Sequence, residues 1–101
     1  DVVFAHNDEM ALGAIEAIEE FGKVPGKDIV VIGVDAIKKS FEAMIAGKMN
    51  ASIECSPLLG PQLIEVTKAV LAGQSVEKDI LTNEKDYDTT NAAAEINNRV
   101  Y

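Results

Sequence analysis

The sequence predicts an α/β fold in three layers, with helices packed on both faces of a parallel sheet. Residues 2–5 and 29–34 are almost wholly apolar and rich in valine and isoleucine, as strands covered on both faces are. Apolar residues recur at helical spacing after each of these segments. Because strands and helices alternate, the strands should pair in parallel through right-handed crossovers. The 101 residues are enough for one small domain at most.

The first half of the chain predicts two helices, one after each apolar strand. Asn7 or Asp8 can cap the first helix, and Gly22 is a suitable residue just past its end. The apolar face of that helix comprises Met10, Ala14, Ile15, Ile18 and Phe21. Residues 23–28, which include a Pro-Gly pair, form a turn before the strand at 29–34. The second helix has Ile37, Phe41, Met44 and Ile45 at helical spacing, and Gly47 ends it.

The second half predicts a weaker third strand at residues 51–55, with residues 51–53 pairing in parallel. A helix should begin near Pro61 and end at Gly73. Its predicted buried stripe comprises Leu63, Val66, Thr67, Val70 and Leu71. Residues 76–82 are predicted to form a fourth strand, residues 83–88 a polar connection, and residues 91–99 a short final helix.

Composition excludes several classes of partner. The formal net charge of −8 disfavours binding to nucleic acid or to an anionic membrane surface. The apolar runs are far too short to cross a bilayer, so direct membrane insertion is not expected. Cys55 is the single cysteine, which rules out an internal disulfide.

The motifs that carry most enzyme chemistry are missing, so no catalytic residue is predicted. The sequence contains no dinucleotide fingerprint, no phosphate-binding P-loop and no nucleophile elbow. One histidine and one cysteine cannot make a His/Cys zinc site, and nothing in the sequence orients His6 and Cys55 as a base and nucleophile. We therefore expect a binding protein that needs neither metal nor cofactor.

Polar residues stand at the ends of two predicted strands. Asn7 follows the first strand closely, and Asp35 ends the second. Ligands of open parallel sheets bind outside the carboxyl ends of the strands. A carboxylate accepts hydrogen bonds from hydroxyl groups, and an amide both donates and accepts. The pair suits a neutral ligand rich in hydroxyl groups, although each residue can also serve only as a helix cap or turn former.

Four segments carry a resemblance to a known family. The runs AHNDEMALGAIEAI and PGKDIVVIGVDA resemble the C-terminal part of the type I periplasmic sugar-binding proteins, the ribose/galactose group of ABC-transporter receptors. NASIECSP resembles the stretch in which a strand approaches the hinge between two lobes, and YDTTNAAA resembles the closing stretch. The resemblance implies a periplasmic-binding-protein-like partial lobe spanning residues 1–101.

The resemblance also implies ligand-binding residues. It makes Asn7 and Asp35 sugar ligands and leaves Asp8 as the helix cap. Cys55 falls where ribose-type members carry a glutamine, so the sequence departs from the ribose pattern, while Glu54 matches a position where receptors for other sugars often have glutamate. Because successive strand residues face opposite sides, we favour Glu54 over Cys55 for the cleft. The alternative is that Glu54 is solvated or forms a hinge salt bridge. His6 is a possible border residue, and neither tyrosine is expected beside the site.

Two functions follow from the resemblance. The first is the monosaccharide-binding component of an ABC transporter, working outside the cytoplasm with a permease. The alternative is the effector domain of a LacI-type transcriptional regulator, because the first two segments are shared with that group. We interpret the chain as part of a longer two-lobed protein. Without the opposing lobe, residues 1–101 should bind sugar very weakly or not at all, and should fold the third helix back or self-associate as a dimer.

Overall fold

A computed structural model describes residues 1–101 and contains one four-stranded sheet in the order β1-β2-β3-β4. The strands are β1 Val2–Phe4, β2 Val30–Asp35, β3 Ala51–Glu54 and β4 Asp86–Asp88. The helices are α1 Asp8–Glu20, α2 Lys38–Ile45, α3 Gly60–Leu71 and α4 Ala92–Glu95, followed by a 3₁₀ turn at Ile96–Asn98. β1, β2 and β3 pair in parallel, which confirms the three predicted parallel strands, whereas β4 pairs antiparallel to β3. None of the helices combines the length and apolar character that a bilayer span requires.

One face of the sheet carries the hydrophobic core. Successive residues of a strand point to opposite faces, and the residues of β2 that are fully covered are Val31 and Gly33. The side chains of α1 and α2 pack on this face in a single apolar cluster. Its larger members are Ile15, Ile18, Val31, Phe41, Met44, Met49 and Tyr87.

The opposite face of the sheet lies open. Val2 is 64 % exposed, Phe4 59 % and Ile53 45 %, although all three are large apolar residues on strands. The residues of β2 that share this face are only half-buried. The chain therefore contributes two layers of the three that an α/β fold of this type needs, in keeping with a partial lobe.

The buried stripe of α1 differs in part from the predicted one. Met10 and Phe21 are exposed, whereas Ala11 is completely buried. A methyl group built on Gly33 would come within 3.3 Å of the Ala11 side chain, so α1 approaches β2 through its smallest residues. Helical spacing predicted the helix correctly but could not tell which of two adjacent stripes this close approach would favour.

Residues 55–85, here called the arm, project away from the remainder of the chain, here called the core. No residue of the arm is buried, so the predicted buried stripe of α3 is wrong. The molecule measures 60 × 24 × 17 Å, with a radius of gyration of 17.1 Å. A compact chain of this length has a radius of about 13 Å. Nor does α3 fold back onto the sheet, and it therefore leaves its apolar residues in solvent.

The prediction of a fourth strand at residues 76–82 is also wrong. Those residues form no regular structure, and the strand lies within the predicted polar connection, at Asp86–Asp88. Tyr87 is the one buried residue of this strand, and its ring centroid lies 4.8 Å from that of Phe41. The final helix is shorter than predicted, because α4 ends at Glu95 and tightens into the 3₁₀ turn.

Candidate ligand-binding site

The parallel strands bring the predicted site residues to one edge of the sheet. The Ala5 N–H donates to the Ile32 carbonyl at 2.9 Å, which aligns the end of β1 with β2. Asp35 is the last residue of β2 and pairs in register with Glu54 at the end of β3. The segments that follow β1, β2 and β3 therefore begin at the same edge, the one at which ligands of such sheets bind.

Asp35 has a strained backbone and an unengaged side chain. Its φ is 112°, and the φ of Ala36 is 58°. Residues other than glycine rarely adopt such angles, and the strain clusters at functional sites. The Asp35 carboxylate accepts no hydrogen bond from the chain. Burial, followed by the negative charges of Asp8 and Glu9, raises its pKa above the ordinary value. A ligand that donates hydrogen bonds to this carboxylate would stabilise its ionised form.

A buried carboxylate holds the strained turn in place. Asp8 is completely buried, and its Oδ2 accepts from the Ile37 N–H at 2.9 Å. Its Oδ1 accepts from the Ser52 hydroxyl at 2.7 Å, and that hydroxyl oxygen accepts from the Ala36 N–H at 3.0 Å. Two consecutive backbone amides after Asp35 are thus fixed by one network that spans α1, β3 and the turn.

Sequence reasoning missed this role of Asp8, which it assigned to helix capping. A glycine inside the apolar strand β2 was the available signal, because such a glycine often marks a close approach. A methyl group built on Gly33 would lie 2.2 Å from Asp8 Oδ1 and 2.6 Å from Met49 Cε. Only glycine leaves room for the carboxylate at that point.

Asn7, rather than Asp8, caps α1. Its Oδ1 accepts from the Met10 N–H at 2.8 Å, and its backbone is extended, as N-cap residues are. The amide nitrogen of Asn7 donates to no group of the chain. The two interpretations of this residue are therefore compatible, since the oxygen caps the helix while the nitrogen remains available as a donor.

A cavity of about 350 Å³ opens at this edge, within the usual size range of small-molecule pockets. It is lined by Asp35, Ile37, Cys55, Pro57 and Tyr101. Larger hollows exist elsewhere, but none of those is lined by Asp35. The expectation that no tyrosine lies beside the site is wrong, because the chain returns after β4 and brings its last residues back to the end of β2. Nothing in the local sequence around Tyr101 signals this return.

Glu54 does not line the cavity. Its side chain is 10 % exposed and forms an ion pair with Arg99, with Oε1 2.8 Å from Nη2. Oε1 also accepts from the Tyr101 hydroxyl at 2.8 Å, and Oε2 accepts from the Lys85 N–H at 3.2 Å. Burial alone would raise the pKa of Glu54, but the hydrogen bonds from Tyr101 and Arg99 outweigh it and lower the pKa. The structure corresponds to the alternative interpretation, a salt bridge near the predicted hinge.

Arg99 completes this cluster in an aromatic setting. Its guanidinium carbon lies 5.2 Å from the ring centroid of Phe41, 5.1 Å from that of Tyr87 and 4.6 Å from that of Tyr101. The guanidinium also donates to the hydroxyls of both tyrosines. Only 7 % of the Arg99 side chain is exposed. The four side chains around Arg99 thus tie together α2, β3, β4 and the last residues of the chain.

The remaining predicted residues are placed differently. Cys55 is exposed, carries no disulfide and lines the cavity with Asp35. His6 is exposed and is not among the residues that line the cavity. Its ring centroid lies 6.0 Å from that of Phe4, whose side chain belongs to the open face of the sheet.

Parallel strands with polar residues at their carboxyl ends and a small-molecule cavity beside them are an arrangement typical of α/β ligand-binding proteins. A family model described as periplasmic binding protein domain matches residues 1–75. The chain belongs to that family.

Its relatives are sugar-binding proteins. The galactofuranose-binding protein of Escherichia coli (strain K12) is 40 % identical over 96 residues, which cover 94 % of this chain and 30 % of that protein. A Mycobacterium smegmatis crystal structure in complex with β-D-fucofuranose has a TM-score of 0.89 at 47 % identity, covering 97 % of this chain and 32 % of that one. The periplasmic binding protein of the arabinose ABC transporter from Shewanella sp. ANA-3, in a structure with bound L-arabinofuranose, has a TM-score of 0.86 at 40 % identity. This match covers 98 % of this chain and 33 % of that one. The chain spans about a third of the length of these relatives.

Proposed function

We propose that the protein binds a monosaccharide at the edge where β1, β2 and β3 end, with Asp35 and Asn7 as ligand-binding residues. The observation that carries the proposal is the Asp35 carboxylate, which lines a cavity of suitable size and accepts no hydrogen bond from the chain. A partly buried carboxylate needs donors, and adjacent sugar hydroxyls supply them.

The other predicted residues either contact the proposed sugar or hold the neighbouring structure in place. The Asn7 amide nitrogen is free to donate to a sugar oxygen while its oxygen caps α1. Cys55 is a candidate for direct contact, since it lines the cavity with Asp35. Glu54, which the sequence favoured as a ligand, is assigned here to support because its oxygens are bound by Arg99, Tyr101 and Lys85. No role in binding is proposed for His6.

The relatives suggest the form of the sugar. One of the similar proteins is named for galactofuranose, and the structures of two others hold fucofuranose and arabinofuranose, each a sugar in its five-membered ring form. We propose a furanose as the ligand class for this chain. A five-membered ring carries its hydroxyls on a small, nearly flat frame, which the 350 Å³ cavity accommodates.

The whole protein is proposed to be a two-lobed receptor of which residues 1–101 are the C-terminal portion. The open face of the sheet and the exposed arm are the surfaces that the remaining two thirds of such a receptor would cover. It would act outside the cytoplasm, deliver sugar to an ABC permease and catalyse no reaction. Closure of two lobes over the sugar would provide the second wall of the site.

The test is a chimera in which residues 1–101 replace the matching third of the Escherichia coli galactofuranose-binding protein. Calorimetric titration with D-galactose, L-arabinose and D-fructose should show binding of at least one sugar. Asp35→Ala should weaken it by about 2–4 kcal/mol and Asn7→Ala by about 1–3 kcal/mol, because hydrogen bonds in a closed cleft are lost.

Glu16→Ala, on an exposed position of α1, is the matched control and should leave affinity unchanged. A folded chimera whose affinity is the same with Asp35→Ala would place the site elsewhere.

We also propose that residues 1–101 alone self-associate. On α3, Leu63 is 65 % exposed, Val70 54 % and Leu71 83 %, and an apolar helix stripe left in solvent favours burial against a partner. Light scattering should show a dimer whose proportion falls on dilution. A chain that stays monomeric at high concentration would contradict this proposal without affecting the proposed site.

A further inference from the structure

Tyr101, one of the residues that line the cavity, is fixed at both ends. Its main-chain carbonyl accepts from the Lys38 N–H at 2.8 Å, at the first residue of α2. Its hydroxyl donates to Glu54 Oε1 at 2.8 Å, at the end of β3. The ring between these two anchors lines the same cavity as Asp35. A side chain held in this way loses little conformational freedom when a ligand arrives.

The surroundings of the ring leave room for one more partner. The Arg99 guanidinium carbon lies 4.6 Å from the ring centroid, so a cation occupies one face of the ring. Aromatic faces are electron-rich and attract C–H groups as well as cations. Besides Arg99, no cation and no aromatic ring of the chain stacks on Tyr101.

We propose that the Tyr101 ring is the stacking platform of the site and contacts the apolar C–H face of the sugar whose hydroxyls bind Asp35. This inference rests on the proposed function and names the residue that selects the face of the ligand. A sugar is amphipathic, since its hydroxyls lie at the rim and its C–H bonds lie on the ring faces. A carboxylate and an aromatic ring in one small cavity match these two kinds of surface.

The cluster behind the ring supports this role. Glu54, Arg99 and Tyr87 are held by one another, and the Arg99 and Glu54 side chains are at most 10 % exposed. Burial raises the pKa of Tyr101, and its hydrogen bond to Glu54 acts in the same direction, so the phenol stays protonated near neutral pH. The ring therefore presents an uncharged surface to a neutral ligand.

Saturation-transfer NMR on the 101-residue chain tests the inference, because it detects weak complexes. The probes are L-arabinose, D-galactose and D-fructose, each examined with saturation of the aromatic protons and, separately, of the methyl protons. Transfer from aromatic protons to sugar C–H protons is expected in the wild type. Tyr101→Leu should abolish that transfer, retain transfer from methyl groups such as those of Ile37, and weaken binding by about two- to tenfold.

Two further variants separate stacking from structure. Tyr101→Phe keeps the ring but loses the bond to Glu54, and it should retain aromatic transfer. Phe21→Leu removes another exposed ring, which lies at the far end of α1, and it should change nothing.

The outcomes distinguish this inference from the proposed function. Unchanged aromatic transfer in Tyr101→Leu overturns the role of Tyr101 and leaves the site at Asp35 standing. A wild-type chain that transfers from neither set of protons overturns this inference and leaves the proposed site to the titration of the chimera. An Asp35→Ala variant that transfers as the wild type does contradicts the proposed site as well.

Discussion

The core and the arm contain similar apolar residues but bury them to opposite degrees. All 17 buried residues lie in the core, in residues 5–52 and at Tyr87 and Ala92. The arm has none, although α3 has an amphipathic pattern as clear as that of α1. The Met44 side chain is 1 % exposed, whereas that of Leu63 is 65 % exposed. Helical periodicity shows that a helix has a face to bury, and it does not show that the same chain supplies the partner.

The largest loss of stability is expected for Glu54→Gln, at the junction of core and arm. The substitution leaves the Arg99 charge buried without its partner, and such losses cost about 3–5 kcal/mol. Urea unfolding should show this drop in the free energy of unfolding. Glu65→Gln, on the exposed surface of α3, is the control and should change it by less than about 0.5 kcal/mol.

The pH dependence of stability tests the same ion pair. Because the folded-state pKa of Glu54 is lowered, its contribution is present above the unfolded value of about 4.3 and is lost as the pH falls through the folded value. The stability difference between the wild type and Glu54→Gln should therefore narrow in acid. A difference that is constant from neutral pH to strong acid would mean that the ion pair is not the cause.

A direct comparison of core and arm uses one truncation in each. Met44→Ala should cost about 2–5 kcal/mol, because the cavity it leaves is enclosed. Leu63→Ala should alter the unfolding free energy of the monomer by no more than about 0.5 kcal/mol, because its side chain is already in solvent. Thermal or urea unfolding at low protein concentration measures both. Equal losses would show that the arm packs in solution.

A third comparison uses two glycines within the core. Gly33→Ala should cost about 1–3 kcal/mol, because the added methyl group would meet Asp8 Oδ1 at 2.2 Å. Gly13→Ala has open space around the added methyl group and lies within α1, so it should stabilise the chain by about 0.5–1 kcal/mol. Chemical denaturation of both variants decides, and a stabilising Gly33→Ala would refute the close approach of Asp8.

Asp35→Asn has the smallest expected effect on the free energy of unfolding, and it contrasts stability with binding inside the core. Burial and nearby negative charge raise the folded-state pKa of Asp35, so its ionised form costs stability above that value. Asp35→Asn should therefore raise the unfolding free energy at neutral pH by about 0.5 kcal/mol or less, and should not do so in strong acid. The same variant in the chimera should bind sugar more weakly. A loss of stability at neutral pH would argue against this account.

Much of this architecture could be predicted from local patterns. The apolar runs located β1, β2 and β3, and the glycines at 22, 47 and 73 marked helix ends where φ is positive. The edge carrying Asn7 and Asp35 followed from the rule for parallel sheets. What failed depends on contacts between distant segments. The strand at Tyr87 lies in a polar sequence, and the burial of Asp8 depends on a glycine 25 residues away.

The positions of the candidate site residues could be predicted only where the end of one strand determines their surroundings. Asp35 follows directly from the end of β2, so its placement needed no tertiary information. The choice between Glu54 and Cys55 needed the position of Arg99, 45 residues further on, which draws the Glu54 carboxylate into an ion pair. Tyr101 reaches the cavity only because the chain returns along β4. Sequence spacing carries no information on either event.

The left-handed backbone at Asp35 and Ala36 limits how the proposed site can diversify. Bulky and β-branched residues are strongly disfavoured at such angles, whereas asparagine, aspartate and glycine are tolerated. Aspartate is the one member of that set with a negative charge. If this edge binds the proposed ligand, a lineage that changes that ligand would keep position 35 nearly constant and vary its neighbours, of which Cys55 and Pro57 lie outside the left-handed region. Directed evolution of the proposed sugar preference would do best to randomise those two positions first.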